Sequence, residues 1–534
     1  MPTKTPTAIH LATAVAVGAL LWSCAGYVPM WDGFLYASAI NDAAHSPSLA
    51  GLRLAGHASH VYAAVAIAFQ SLALDRYWPT LLLGALLVAL AAVAFNRLLR
   101  LVFPGDERAL DRALLTGAFA VQPTLLAAAV QPGLDLPLVP AFLWCVVLLM
   151  EGRRVALVVV GTAIAFTKET GVLLYAALLA SYGLWTLLRT PGPVRDRALA
   201  VVRLAPLALP GIIFCLYLLV RRQLIPAGEP VVWSAGTAMI NQSLLRQLLV
   251  PRIDRYLASY LSMLAVLNFA WVITVVVTAA VLVVVKRLGI NRLLDATRQL
   301  VPTPLGFVVL LLLVTTYLLT RFASYANSRY LLPVMALLLV PFFAALVSVG
   351  IGATVRRAFV AGLSLLLIVS NVRTVDPISR ELYRTFVFGD YSMLRLNSIT
   401  HECCASGRDQ LVYSVEFTEL ERLMSDALAA FAPGDSTLIV LPDSTNWYAA
   451  EVLDRTTHRR SFARVNVYQP TVVESDSASL YAAKFERGVY LALPNGNGAR
   501  GLTLLEQSFA VGPERRFVRG GHVLSAYALS ARRP

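Results

Sequence analysis

The chain has 534 residues, 57% of them hydrophobic and only 14% charged. Soluble domains carry about 25% charged residues, so a wholly water-soluble enzyme is excluded. The formal charge of +14 does not point to nucleic acid either. Residues 1–373 hold 28 Lys+Arg against 13 Asp+Glu, and residues 374–534 hold 17 against 18, so the excess lies in the apolar part, where loops meet lipid headgroups.

A helix crossing a bilayer needs about 20 apolar residues, because every backbone polar group must be satisfied within it. Residues 8–28 form the first such run, uncharged after Lys4, with a cleaved signal peptide as the alternative reading. Residues 58–74 are apolar but short, and His57, His60 and Asp75 bracket them, which predicts an amphipathic element at the interface. Further spans are expected at 79–101, 111–128, 136–150, 155–168, 171–188, 204–221, 258–285, 304–321, 330–350 and 358–373. The first part is thus a polytopic α-helical membrane domain of about eleven spans over residues 1–373.

Charge sets the expected orientation. With the N-terminus in the cytoplasm, the inner loops carry Arg97, Arg100, Arg108, Arg112, Arg153, Arg154, Lys286, Arg287, Arg356 and Arg357, and the outer loops carry fewer cations. An odd number of spans then leaves residues 374–534 outside. There the character changes to short β-rich runs, Leu411–Val415, Leu438–Leu441, Val489–Leu493 and Phe517–Ala528, with an amphipathic helix near 416–431 that carries a capping box at Thr418 and Glu421. This reads as a soluble extracytoplasmic α/β domain. Cys24, Cys145 and Cys215 lie in apolar segments as small hydrophobes, and the vicinal Cys403–Cys404 pair reads equally as thiols or a disulfide.

No acid or base lies near the middle of a span, which argues against an ion-coupled transporter. The unusual charges sit at helix ends that the topology brings to one face: Asp32 in Trp31-Asp32-Gly33-Phe34-Leu35-Tyr36, Asp135 in Gln131-Pro132-Gly133-Leu134-Asp135-Leu136-Pro137, Lys168-Glu169, and Arg329-Tyr330. Only four lysines occur in the chain, so Lys168 is a selective choice. Each feature also has a plainer explanation. Asp32 reads as a solvated loop residue, Asp135 as a helix cap, Lys168 and Glu169 as an exposed interfacial pair, Arg329 and Tyr330 as an interfacial anchor, and His57 as structural.

The same residues carry a resemblance. Trp31-Asp32-x-x-x-Tyr36, His57-x-x-x-x-Tyr62, Leu134-Asp135-Leu136-Pro137, Thr167-Lys168-Glu169-Thr170 and Ser328-Arg329-Tyr330-Leu331-Leu332-Pro333 resemble, in order, motifs of the GT-C superfamily of polyprenyl-phosphate-sugar-dependent glycosyltransferases. The group concerned includes protein O-mannosyltransferases and lipid A aminoarabinose transferases. Gly33 stands where many members have a second acid, and Ala58 and Ser59 replace two prolines.

The resemblance implies inverting transfer of a sugar from a polyprenyl-phosphate donor to a glycan, lipid or protein acceptor at the outer face of a bacterial inner membrane. Asp32 would be the general base, with Asp135 a second catalytic carboxylate. Lys168, Arg329 and Tyr330 would hold the donor phosphate, and Glu169, Tyr36, His57 and Tyr62 would complete the site. A divalent metal, Mg or Mn, on Asp32 and Asp135 is the possible cofactor. A flippase of a lipid-linked sugar and a non-catalytic envelope assembly protein are the rival readings.

Overall fold

A computed structural model of the protein describes residues 4–24, 32–48, 50–54, 57–74, 76–224, 270–322 and 328–372, and shorter stretches between 411 and 532. The chain divides into two compact units: Met1–Ala25, Leu35–Phe386 and Asp409–Val412 in one, and Gly26–Phe34, Val387–Arg408 and Tyr413–Pro534 in the other.

The first unit is helical. Its described helices, with α2 opening in the segment before it, are α1 (Lys4–Trp22), α2 (Asp32–His45), α3 (His60–Gln70), α4 (Trp78–Val102), α5 (Ala109–Ala120), α6 (Pro123–Val130), α7 (Leu138–Met150) and α8 (Arg154–Ala165). They continue with α9 (Glu169–Arg189), α10 (Val194–Val202), α11 (Leu209–Leu224), α12 (Ala270–Leu300), α13 (Pro304–Phe322), α14 (Leu332–Ser348) and α15 (Ala353–Val372). Among the described residues each of the eleven predicted runs is occupied mainly by helix; residues 25–28 of the first, 258–269 of the eighth and 373 of the last lie outside them. On α4 both faces are apolar. Leu83, Val88, Ala91, Phe95 and Leu98 are buried, while Leu82, Leu86, Leu90 and Val93 form an exposed stripe. A helix apolar on its outward face is built for lipid contact.

The spans are less regular than the runs suggested. Five segments, α1, α4, α9, Arg329–Ser348 and α15, are long and apolar enough to cross a bilayer singly, and two bent helix pairs raise the number to seven among the described residues. One predicted span, 111–128, is such a pair, α5 and α6, bent by 54°. The cause is local: Gln122 precedes Pro123 and takes an extended conformation, φ −60° and ψ 125°, because the proline ring crowds the helical alternative. Helices α7 and α8, of 13 and 12 residues, are each shorter than a bilayer's apolar thickness and pack against each other. The segment after α1, expected as a loop before the interfacial element, already contains α2, and that element itself is α3.

Asp111 in the first turn of α5 is buried, and its oxygens accept from Arg356 Nη2 at 2.7 Å and Arg357 Nε at 2.8 Å. Two arginines expected in a solvated inner loop therefore tie α15 to α5. Cys24 and Cys145 are buried as expected, but Cys215 is exposed on the outward side of α11.

In the second unit the described strands are β1 (Thr437–Val440), β2 (Asn466–Tyr468), β3 (Arg487–Ala492), β4 (Phe509–Val511), β5 (Arg515–Arg519) and β6 (His522–Ala531). The sheet order is β2-β1-β3-β6-β4, with β5 also on β6. The β1 pairings are parallel, and the β6 pairings antiparallel. Leu438, Tyr490, Phe509 and Leu529 fill its core. The run expected as one strand, Phe517–Ala528, is two paired strands with Gly520-Gly521 between them. Leu411 is helical, and 412–415 lie outside the described residues, as do Thr418, Glu421, Cys403 and Cys404. Residues 422–424 and 426–431 are helical, within the predicted helix.

Candidate functional site

Two corners place the charged residues. The first is the segment between α6 and α7. Pro132, Gly133 and Pro137 prevent either helix from continuing through it, and Leu134 and Leu136 are buried on both sides of Asp135. Leu134 packs with Tyr36, Leu54, Tyr62 and Leu83, and buried Tyr62 hydrogen-bonds the backbone of Gly133. Asp135 is not a cap: Pro137 holds the N-cap position of α7, with no side-chain bond there.

The second corner is α8 to α9. Lys168 is extended, with φ −165° and ψ 151°, between the two helices. A Cβ at Gly171 would lie 2.1 Å from the carbonyl oxygen of Ile164, so only glycine lets α9 start this close to α8. Gly171→Ala is therefore expected to destabilise the unit by about 1–3 kcal/mol through overpacking. It should also weaken any ligand bound at Lys168. Thermal denaturation in detergent checks the first effect, and an unchanged midpoint would contradict the close approach.

Across these corners Lys168 Nζ lies 2.5 Å from Asp135 Oδ1, and Arg329 Nε lies 3.3 Å from Asp135 Oδ2. Arg329 sits in the 3-10 turn Ser328–Leu331 ahead of α14. The Lys168 ammonium is 4.4 Å from the centre of the Tyr330 ring, a cation–π contact that fixes its direction. Asp135 is 6% exposed and Lys168 6%. Burial pushes the Asp135 carboxyl up, but the Lys168 and Arg329 charges outweigh it and hold the group below the ordinary carboxylate value.

Glu169 stands beside this set and is buried too, so the reading of Lys168 and Glu169 as an exposed pair is overturned. Its carboxylate takes His57 Nδ1 at 2.8 Å and the backbone N–H of Ala58 at 2.9 Å. The His57 ring meets Tyr36 edge-on, 6.4 Å between centres. Ser59, one of the two proline replacements, is wholly buried and accepts from Leu54 N at 2.8 Å, bracing the entry to α3.

Asp135, Lys168, Arg329 and Tyr330 thus form one cluster, with Glu169, His57 and Tyr36 forming a chain beside it and Tyr62 behind the Asp135 segment. Asp32 is the first residue of α2, one turn before Tyr36, and its side chain lies outside the described residues. A small cleft, with room for about one water-sized group, opens at the cluster, lined by Asp135, Thr170, Arg329 and Tyr330 and by Leu138, Leu174, Leu319 and Pro333. Thr170 was not among the residues the sequence singled out, although it ends the Thr167-Lys168-Glu169-Thr170 motif.

Among the described residues no three His, Cys, Asp or Glu side chains gather as a metal site. Asp135, with a cation on each oxygen, does not suit a divalent ion.

By sequence, no family model and no curated protein matches the chain. By structure, ArnT from Cupriavidus metallidurans in the apo state aligns with a TM-score of 0.51 and 14% identity, over 98% of this chain and 97% of that one. The fold is shared with ArnT. The structure of ArnT bound to undecaprenyl phosphate aligns over the same shares at 14% identity and a TM-score of 0.48. The polytopic helical fold expected from the sequence is thus one shared with ArnT.

Proposed function

We propose that the protein is a membrane glycosyltransferase that takes a sugar from a polyprenyl-phosphate carrier. The observation that carries this reading is the buried cluster at the helix ends, where Lys168 and Arg329 converge on Asp135. Two cations and one carboxylate leave one unit of positive charge beside an apolar-lined cleft. That balance suits a sugar phosphodiester, a monoanion with a lipid tail, better than a diphosphate-linked donor with two charges. The shared fold supports the same reading, since ArnT has been solved with undecaprenyl phosphate.

The proposed reaction begins when an acceptor hydroxyl attacks the anomeric carbon. The bond from that carbon to the phosphate oxygen breaks, and the phosphate leaves with the electron pair. Asp32 takes the acceptor's proton. Lys168 and Arg329 stabilise the departing phosphate. Asp135 acts in this scheme as a positioning residue that aims both cations, and Glu169 holds His57 against the start of α9. The reading places the reaction at the outer face, with the N-terminus cytoplasmic, which the distribution of loop charges supports.

The test is sugar transfer by purified protein from a panel of polyprenyl-phosphate sugars, wild type beside Lys168→Met. Methionine keeps the length of the side chain and removes its charge. The variant is expected to lose transfer by about 10²-fold or more. Donor turnover at the wild-type rate in the variant would overturn the phosphate role of Lys168, and no binding or turnover of any donor by the wild type would overturn the reading.

A further inference from the structure

We infer that the Thr170 hydroxyl is a third phosphate ligand, donating its proton to a non-bridging oxygen of the lipid phosphate in the cleft; the inference rests on the function proposed above. Thr170 is the second residue of α9, two after Lys168, and it lines the cleft together with Asp135, Arg329 and Tyr330. Its Oγ1 is buried and has no hydrogen-bond partner among the described residues.

Thr186 and Thr315 also carry buried hydroxyls with no partner among the described residues, but of the three only Thr170 lines the cleft, and several other threonines of the helical unit satisfy themselves. Thr162 donates to Val158 O at 2.9 Å, Thr167 to Ala163 O at 2.8 Å and Thr190 to Thr186 O at 2.7 Å, each one turn back. Thr170 lacks that option because α9 has only just begun. The carbonyl four residues earlier belongs to Phe166, outside the helix, and it accepts from the backbone N–H of Val61 at 3.0 Å. A buried hydroxyl with no partner is unfavourable, and a valine of the same shape would avoid the cost. A threonine at this position therefore calls for a partner from outside the fold. Lys168 and Arg329 beside it favour an acceptor with negative charge, and the lipid chain of that anion follows from the proposed function.

The experiment measures binding of a polyprenyl phosphate, of the matching polyprenol and of inorganic phosphate to detergent-purified wild type, Thr170→Val and Thr170→Ser, with the melting midpoint of each unliganded protein. A hydrogen bond to a charged group predicts that Thr170→Val binds the polyprenyl phosphate about tenfold or more weakly, with serine restoring most of the affinity. Polyprenol binding should be equal in all three proteins. The unliganded valine variant should melt no lower than the wild type, since it loses a hydroxyl that nothing in the protein was using. Displacement of the lipid by inorganic phosphate from the wild type, at lower concentration than from the valine variant, would support the same ligand with the phosphate alone as the recognised unit.

Equal binding of polyprenyl phosphate by wild type and Thr170→Val would overturn the assignment and leave the proposed function standing. A fall in the midpoint of the unliganded valine variant would also overturn it, by showing that the hydroxyl has a structural partner. Failure of the wild type to prefer the phosphate over the alcohol would remove the proposed function and this inference together.

Discussion

Asp135→Ala is expected to be among the most destabilising single substitutions in the helical unit, by about 3–5 kcal/mol, because it leaves two cations facing each other without their shared counter-charge. Both Lys168 and Arg329 point at this carboxylate, and Lys168 and Asp135 are almost fully withdrawn from solvent. Adding Lys168→Met to Asp135→Ala should recover part of the loss, since the second change removes one of the stranded charges. Additive losses in that double-mutant cycle would mean that the pair is not coupled. The acid limb gives a second, independent check. The carboxyl titrates below its ordinary value of 3.8 in the folded protein, so its contribution is present above the unfolded value of about 4 and is lost as the pH falls through the folded one. The stability difference between wild type and Asp135→Ala should therefore stay constant at neutral and mildly acidic pH and close below about pH 4. A difference that persists undiminished at low pH would show that the carboxylate's charge is not what holds the cluster. A polyprenyl phosphate should stabilise the alanine variant more than the wild type, because its negative charge takes the place of the missing one.

Much of this architecture could be read from the residues before any coordinates, and the parts that could not share one property. Runs of apolar residues announce helices because the bilayer imposes length and backbone saturation on every span. Among the described residues each of the eleven runs accordingly falls mainly on helix. The bend at Gln122-Pro123 was also open to reading, as proline restricts the residue before it, and so was the division of the last strand run, whose sequence holds Gly520-Gly521 between the two paired strands. What a linear reading could not supply were the partners. Glu169 holds a histidine 112 positions away, and Lys168 holds an aspartate 33 positions away, at a distance set by how α7, α8 and α9 pack. Taken singly, Lys168 and Glu169 looked like headgroup-facing residues, and only the packing shows that they face inward. Thr170 escaped for another reason: a threonine in a first helical turn is an ordinary residue until its hydroxyl is found buried with no partner among the described residues. Asp135, Lys168 and Arg329, singled out at helix ends in the sequence, do meet in the structure, since apolar spans offer few other places for charged residues.

Asp32→Asn is expected to abolish sugar transfer, by about 10²- to 10⁴-fold, while leaving donor binding intact. The substitution keeps the size and hydrogen-bonding capacity of the side chain and removes its ability to accept a proton. Asp32 opens α2, and one turn later Tyr36 is buried against Leu54, Tyr62 and Leu134, with its ring edge-on to His57. The helix carrying the proposed base is thus anchored by a residue packed against the Asp135 segment, and a change at its first residue leaves that anchor untouched. The two variants Asp32→Asn and Lys168→Met should separate cleanly. The first lowers kcat with KM for the donor near the wild-type value, and the second weakens donor binding as well as turnover, because its charge is engaged before and during departure of the phosphate. The wild-type rate should fall on the acid side as the base protonates, and that limb should be missing from any residual activity of Asp32→Asn. Full transfer by Asp32→Asn would remove Asp32 as the base. A loss of donor binding equal to the loss of turnover would make it a binding residue instead, and the search for the proton acceptor would then turn to His57, already held by Glu169.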